Sequence, residues 1–339
     1  MRKKYTISLL ALMGMIILIL DTKTALCGAS DGIELCLRTV IPSLFPLCML
    51  STLLTSTPIG TSFPPMRILC RLLHTSPTGA SIFLSGILGG YPMGAQGIAT
   101  ACREGRLDQN EGRRLLAFCN NAGPAFLFGI GAKLFDGTKL CFLAWGIQLI
   151  SAIIVAAMTP GRETKQQIVA KFSSISISSA MSKSIKTMAM VCGWVILFRV
   201  LIHYLAVWIL WWVSDSIQIL IFGLLEISNG CIFLSNLQSQ AHRFLLFTTF
   251  LSFGGLCVTM QTYSVVSDCN LNFRHYLMGK ITQTAITFLL AYFCLIFFPS
   301  TEEISIGVVL PMICILTIIG YRFFVKKQKK DSIPMLVGV

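Results

Sequence analysis

The sequence predicts an all-α protein that crosses a lipid bilayer many times, and three observations support this prediction. Of the 339 residues, 55% are hydrophobic and only 12% are charged, whereas a soluble domain carries roughly 25% charged residues. The mean hydropathy of the chain is +0.76. The apolar residues form long runs, and a membrane-spanning helix needs roughly 20 such residues in succession.

The apolar runs define the elements of the chain in order. They lie at residues 5–20, 33–57, 79–101, 115–132, 139–158, 187–213, 216–238, 244–266, 281–299 and 304–325. Those at 115–132 and 244–266 are interrupted, so we expect re-entrant or broken helices there. The others predict about eight transmembrane helices. The first run follows a basic N-terminus, as in a signal peptide, but no small-residue cleavage site follows it. We therefore expect an uncleaved span.

The two interruptions resemble each other. Gly123 and Pro124 divide the first run, and Gly254 and Gly255 divide the second, about 130 residues later. Inside a bilayer, a broken helix exposes backbone groups that lipid cannot satisfy, so it must be buried in protein or line a wet cavity. Paired broken helices in two halves of a chain are typical of the substrate site of a transporter.

Charge predicts the orientation of the spans. Basic residues at the N-terminus, at 67–74, 161–186 and 274–280 and in the tail should face the cytoplasm. The spans of the two halves then follow the same order but cross the membrane in opposite directions, which is an inverted repeat. The loop at 102–114 is the exception, because this arrangement places its four arginines outside.

The predicted organisation follows from these assignments. It comprises an N-terminal transmembrane anchor (1–30), a first repeat (31–160), a basic cytoplasmic linker (161–186), a second repeat (187–300) and a C-terminal transmembrane helix with a basic tail (301–339).

The candidate substrate-binding residues lie at the interruptions. Asn120, Asn121 and Gly123 precede Pro124, and an asparagine there would cap a half-helix whose free N–H groups suit an anion. The second run offers a similar set. Its candidates are Ser252, Gly254, Gly255 and Gln261. Structural kinks are the competing interpretation of both sets.

A further candidate, Tyr91, lies beside Pro92 in a glycine-rich stretch of the 79–101 run. Proline removes a backbone donor and kinks a helix. This stretch would then be unwound and offer backbone groups to a substrate. Close helix packing through small residues is the competing interpretation.

Two charges lie near the middle of predicted spans, Arg199 and Glu226. A central charge costs roughly 2.5–3.5 kcal/mol on insertion scales, so such residues are paired or functional. Arg199 could receive a substrate carboxylate, and Glu226, followed by the candidate Asn229, could carry a coupling proton. A structural ion pair between Arg199 and Glu226 is the alternative.

Other functional classes find little support. Many of the 13 cysteines lie inside apolar runs, the four histidines are scattered, and no C-x-x-C occurs, so we expect no metal or other cofactor. No P-loop, G-x-S-x-G or H-E-x-x-H motif is present, so no catalytic residue is predicted. The net charge of +13 resides in loops between spans, which indicates a membrane protein and not a nucleic-acid-binding one.

Several motifs together resemble the YlbJ (SpoVV) family of sporulation integral membrane proteins. They are IPSLFP (41–46), GYPMGA (90–95), NNAGP (120–124), EISNG (226–230) and FGGLCVTMQ (253–261). The resemblance covers roughly residues 30–300. It implies a nucleoside-recognition or Gate domain, residence in the outer forespore membrane, and transport of dipicolinate towards the forespore. Cys257 and Met260 depart from the more polar pattern of the family.

We therefore expect a transporter that binds a small anionic aromatic substrate near the middle of the bilayer and works by alternating access. Two half-helix N-termini and Arg199 could hold two carboxylates, with Tyr91 or Phe253 stacked on the ring. The coupling proton or ion, if any, and the oligomeric state stay open. A nucleoside transporter of the Gate superfamily and a non-transporting scaffold for spore assembly are the alternatives.

Overall fold

Helices form the chain throughout the part that the computed structural model describes, which is residues 2–56, 64–159 and 176–297. No strand occurs in these ranges. In the same ranges, five helices are long and apolar enough to cross a membrane, and one of them is the broken helix at Gln240–Val266. The prediction of an all-α polytopic membrane protein is confirmed at this level.

The first half of the chain contains nine helices in the described ranges. They are α1 (Arg2–Leu20), α2 (Thr22–Leu35), α3 (Ile41–Ser56), α4 (Pro64–Leu73), α5 (Pro77–Gly89), α6 (Met93–Arg103), α7 (Gln109–Leu116), α8 (Pro124–Leu134) and α9 (Lys139–Met158). A π-helical turn at Cys36–Val40 joins α2 to α3, so that Thr22–Ser56 is one continuous helix.

The second half is described from residue 176 to residue 297. Its α-helices are α10 (Ile177–Tyr204), α11 (Asp215–Leu225), α12 (Ile227–Phe233), α13 (Gln240–Phe253), α14 (Gly255–Val266) and α15 (Arg274–Phe297). A π-helical turn at Leu205–Ile209 extends α10.

Breaks between helices recur in the same order in both halves. In the first, the continuous helix α2–α3 precedes two broken pairs, α5–α6 and α7–α8, and the unbroken α9 follows. In the second, α10 precedes α11–α12 and α13–α14, and α15 follows. The interruptions predicted at 115–132 and 244–266 are confirmed, and the pairs α5–α6 and α11–α12 add two more.

Glycine permits the breaks where the backbone turns sharply. Gly254 ends α13 in the left-handed conformation, with φ 81°, which few other residues adopt. The two breaks of the first half also touch. A Cβ added to Gly90 would lie 2.8 Å from the backbone nitrogen of Gly123, so no side chain fits between them.

The helices bury an interior that is mostly apolar but contains a set of polar residues, and they also expose apolar residues. α2 packs along α10, and α15 packs against both α9 and α13. Large apolar side chains cover the outer surface, including Trp211 and Trp212, which are more than 70% exposed. A lipid-facing surface explains this exposure, and tryptophans of this kind favour the membrane–water interface.

Two boundaries differ from the prediction. The expected linker at 161–186 ends early, because α10 begins at Ile177. Lys280, placed in a cytoplasmic loop at 274–280, lies within α15 instead. The predicted helix at 304–325, the basic tail and most of the linker lie outside the described residues.

Candidate functional site at the broken helices

A buried lysine lies where the broken helices meet. Lys280 of α15 is only 2% exposed. Its ammonium group donates to the hydroxyl of Tyr91 at 3.0 Å, to the carbonyl of Ser252 at 3.2 Å and to Oε1 of Gln283 at 3.0 Å. All three acceptors are neutral. No carboxylate among the described residues forms an ion pair with this lysine.

Tyr91 joins this lysine to the break between α5 and α6. Its hydroxyl lies 3.1 Å and 3.2 Å from the carbonyl oxygens of Leu251 and Ser252, to which it donates. The Lys280 nitrogen also lies 5.0 Å from the centre of the tyrosine ring, within the range of a cation–π contact. A Cβ added to Gly254 would lie 3.1 Å from that ring, so the break between α13 and α14 lies directly against it.

A chain of hydrogen bonds extends from Lys280 along one face of α15. Gln283 donates to Oδ1 of Asn121 at 2.7 Å, in the segment between α7 and α8. Thr287 donates to Ser151 at 2.9 Å or to the Ser252 hydroxyl at 3.0 Å. Residues 280, 283 and 287 share a face because their spacing follows the turn of a helix. Three of the four breaks therefore contribute to one polar cluster, which we call the Lys280 cluster.

The asparagines do not cap the half-helix α8, which corrects the sequence prediction. Gly123 occupies the cap position and makes no side-chain bond there. The amide of Asn121 donates to the carbonyl of Phe118 at 2.7 Å, and that of Asn120 donates to Thr262 at 2.8 Å. The side-chain oxygen of Asn120 and the hydroxyl of Tyr276 are buried without a hydrogen-bond partner in the described chain.

Glu226 forms the break between α11 and α12. Its carboxylate caps α12 by accepting from the backbone N–H groups of Ser228 at 3.0 Å and Asn229 at 2.9 Å. The Asn229 side chain is fully buried, and neither of its polar atoms has a partner among the described residues. A Cβ added to Gly255 would lie 3.1 Å from the carbonyl of Leu225, so this break adjoins the one at Gly254.

Arg199 forms its ion pair with Asp31 and not with Glu226. It lies 3.6 Å from Asp31 of α2, and His203 lies 3.0 Å from the same carboxylate. The alternative of an ion pair between Arg199 and Glu226 is therefore wrong. Gln261, another predicted site residue, donates to the sulfur of Cys257 at 3.3 Å within α14.

The structure thus brings Tyr91, Asn121 and Ser252 together and places Gly123 and Gly254 against the same breaks. Sequence reasoning missed Lys280 and Gln283. The signal was present as polar residues at helical spacing, 280, 283 and 287, at the start of an apolar run. The rule that assigns basic residues near the end of a span to a cytoplasmic loop placed Lys280 in a loop instead of in this helix.

These features define a polytopic integral membrane protein with a buried polar cluster where its broken helices meet. The chain is 24% identical over 304 residues to the sporulation integral membrane protein YlbJ of Bacillus subtilis (strain 168). The match covers 76% of this chain and 74% of that protein. The predicted resemblance to the YlbJ family is confirmed by this distant but sizable match. No family model matches the chain, and no solved structure matches it.

Proposed function

We propose that this protein is a sporulation transporter that moves dipicolinate, a small aromatic dicarboxylate, from the mother cell towards the forespore. It would reside in the outer forespore membrane. The observation that carries the proposal is Lys280, a buried lysine whose hydrogen-bond partners are all neutral. The YlbJ relative is a sporulation membrane protein by name, and the substrate is inferred from the family resemblance.

A buried lysine without a counter-ion favours an anionic ligand, because the anion would stabilise the protonated side chain. Burying an unpaired charge is costly, and ionisable residues inside membranes mark ion and substrate pathways. A substrate carboxylate could replace the neutral acceptors around Lys280 and add a charge-assisted hydrogen bond. Asn120 precedes Asn121, and Tyr276 lies one turn before Lys280 on α15; Asn120 Oδ1 and the Tyr276 hydroxyl have no hydrogen-bond partner among the described residues. They could bind the second carboxylate or the ring nitrogen.

The order of the helices supports alternating access. Apart from α1 and α4, each half runs as an unbroken helix, two broken helices and another unbroken helix in the described residues. If the halves oppose each other in the membrane, as the charges predict, they form an inverted repeat, which is typical of alternating-access transporters. Glu226 at the α11–α12 break is the residue that would carry a coupling proton, and facilitated diffusion is the alternative.

A nucleoside carrier is the second candidate. Asn120, Asn121 and Gln283 are amides, which suit the donor and acceptor pattern of a nucleobase. Such a ligand is neutral and would leave Lys280 without a counter-ion. The dicarboxylate therefore fits this cluster better.

Dipicolinate content of spores tests the proposal. A strain that lacks the gene is complemented with the wild type, with Lys280→Gln or with Lys186→Gln, in which an exposed lysine of α10 is changed as a control. We expect accumulation with the wild type and the control, and none with Lys280→Gln at equal membrane abundance. Normal accumulation in the deletion strain, with synthesis intact, would exclude dipicolinate as the cargo. Equal failure of Lys186→Gln would indicate a scaffold that tolerates few changes.

A further inference from the structure

The fourth break, between α11 and α12, lies outside the Lys280 cluster and places a buried carboxylate beside a buried amide. Glu226 is only 1% exposed, and Asn229 is fully buried. Asn229 occupies the third position of α12, and the carboxylate of Glu226 accepts from its backbone N–H at 2.9 Å. A side chain at this position can reach back towards the residue that caps the helix. The two polar side chains therefore belong to one site.

The carboxylate of Glu226 has no counter-ion in the described part of the chain. Arg199, the other charge that the sequence places within a span, pairs with Asp31 instead. The two backbone N–H groups that bond Glu226 offset part of its charge. They occupy only two of about four lone pairs on the carboxylate. A buried carboxylate in this state is costly unless a cation neutralises it.

The amide of Asn229 independently points to a ligand from outside the chain. Both its oxygen and its nitrogen are buried without a hydrogen-bond partner among the described residues. An amide buried in this way loses its hydration and gains no hydrogen bond in exchange. Native proteins satisfy most such groups, and a bound water or ion is a common explanation for those that have no protein partner. The atom of this amide that can bind a cation is Oδ1.

A backbone carbonyl adds a third oxygen at the same break. Leu225 is the last residue of α11, and no N–H group in the described ranges bonds to its carbonyl. The carbonyls that end a helix carry the negative end of its dipole. Such ends coordinate small cations where membrane helices are broken. A Cβ added to Gly255 would lie 3.1 Å from this oxygen, so the lack of a side chain there leaves the oxygen uncovered.

We propose that the α11–α12 break binds one dehydrated Na⁺ ion through the Glu226 carboxylate, Asn229 Oδ1 and the Leu225 carbonyl. All three ligands are hard oxygen atoms, which suit alkali and alkaline-earth ions. The single carboxylate balances one positive charge, which favours a monovalent ion. A proton on Glu226 is the competing occupant, but it would link only two of the three oxygens.

The cation site adjoins the Lys280 cluster through two neighbouring glycines. Gly255 lies against the carbonyl of Leu225, and Gly254 lies against the ring of Tyr91. A cation bound at the α11–α12 break would therefore help to fix the α13–α14 break, which also contacts the Lys280 cluster. If the protein transports an anion, which rests on the proposed function, this cation is its coupling ion.

Thermal unfolding of the purified full chain in detergent tests the site. Na⁺ replaces N-methylglucamine at constant ionic strength, and binding of radioactive Na⁺ is measured by equilibrium dialysis on the same samples. A ligand that binds only the folded protein stabilises it, so the midpoint should rise with the Na⁺ concentration. Asn229→Leu should weaken Na⁺ binding by about tenfold or more, as expected for one lost ligand of a charged group. Its midpoint in N-methylglucamine should not fall, because leucine has a similar size and no unpaired polar atom.

Glu226→Gln should abolish the rise with Na⁺. Asn236→Leu, which changes an exposed asparagine shortly after α12, is the matched control and should keep the rise. The proposal is wrong if the wild type neither binds Na⁺ nor gains stability from it, or if Asn229→Leu responds as the wild type does. A midpoint that depends on pH through Glu226 but not on Na⁺ would also overturn it and assign the break to a proton.

Uptake of dipicolinate by proteoliposomes reports on the proposed function separately. Na⁺ binding that depends on Asn229, without any uptake, would keep the cation site and remove the transporter. Uptake by a protein that binds no Na⁺ would remove the cation site alone.

Discussion

Tyr91 and Lys280 lie 189 residues apart in the sequence and are joined by a buried hydrogen bond of 3.0 Å. One belongs to the first half of the chain, at the break of α5–α6, and the other to the last described helix of the second half. The tyrosine also donates to the carbonyls that end α13. A single side chain thereby couples breaks of both halves to the one buried lysine of the cluster.

Tyr91→Phe tests this coupling. The variant keeps the ring but removes the acceptor of Lys280 and the donor to Leu251 and Ser252. Unsatisfied buried groups cost about 1–3 kcal/mol, so we expect a lower thermal midpoint in detergent and reduced uptake. Tyr263→Phe is the matched control, because that side chain is 52% exposed. Equal midpoints and equal uptake in both variants would contradict the assigned role of the Tyr91 hydroxyl.

Gly254→Ala tests the break between α13 and α14. The left-handed conformation costs a residue with a Cβ roughly 1–2 kcal/mol, and this Cβ would also lie 3.1 Å from the Tyr91 ring. We expect a clear loss of thermal stability. Gly193→Ala on α10 provides the control, since nothing lies within 4 Å of its added Cβ. There alanine should be neutral or stabilising, because it favours a helix over glycine. If Gly254→Ala were as stable as Gly193→Ala, the claim that this break requires a residue without a Cβ would be wrong.

The contact between Arg103 and Asp268 should make stability depend on pH. The arginine ends α6 and donates to the carboxylate at 2.6 Å and 3.1 Å, in the segment between α14 and α15. These hydrogen bonds lower the pKa of Asp268. A lowered folded-state pKa stabilises the protein above the unfolded pKa of about 3.9, and this stabilisation is lost as the pH falls through the folded value.

Asp268→Asn should therefore lower the thermal midpoint slightly at pH 7, since exposed ion pairs contribute little. The difference from wild type should shrink as the pH falls below about 4 and through the lowered pKa of Asp268. Asp215→Asn, which changes an exposed carboxylate of α11, serves as the control. A difference between wild type and Asp268→Asn that persists unchanged at pH 3 would show that the ion pair is not its source.

Local chemistry determined which parts of the structure could be predicted. Gly254–Gly255 and Gly123–Pro124 interrupt apolar runs, so those two breaks were visible in the sequence, whereas the α11–α12 break falls at Glu226, where no such pair stands. The partners of Arg199 and Lys280 depend on which helices become neighbours, and no local pattern encodes that.

The most direct test of the central claim is dipicolinate uptake by proteoliposomes that contain Lys280→Met. Methionine removes a buried charge that has no counter-ion, and the recovered desolvation cost offsets the loss of the hydrogen bonds to Ser252 and Gln283. We therefore expect a thermal midpoint close to that of the wild type, with uptake reduced by about tenfold or more through loss of a charge-assisted hydrogen bond to the substrate. Lys186→Met should transport normally. Uptake by Lys280→Met equal to that of the wild type would contradict the assignment of Lys280 as the anion-binding residue.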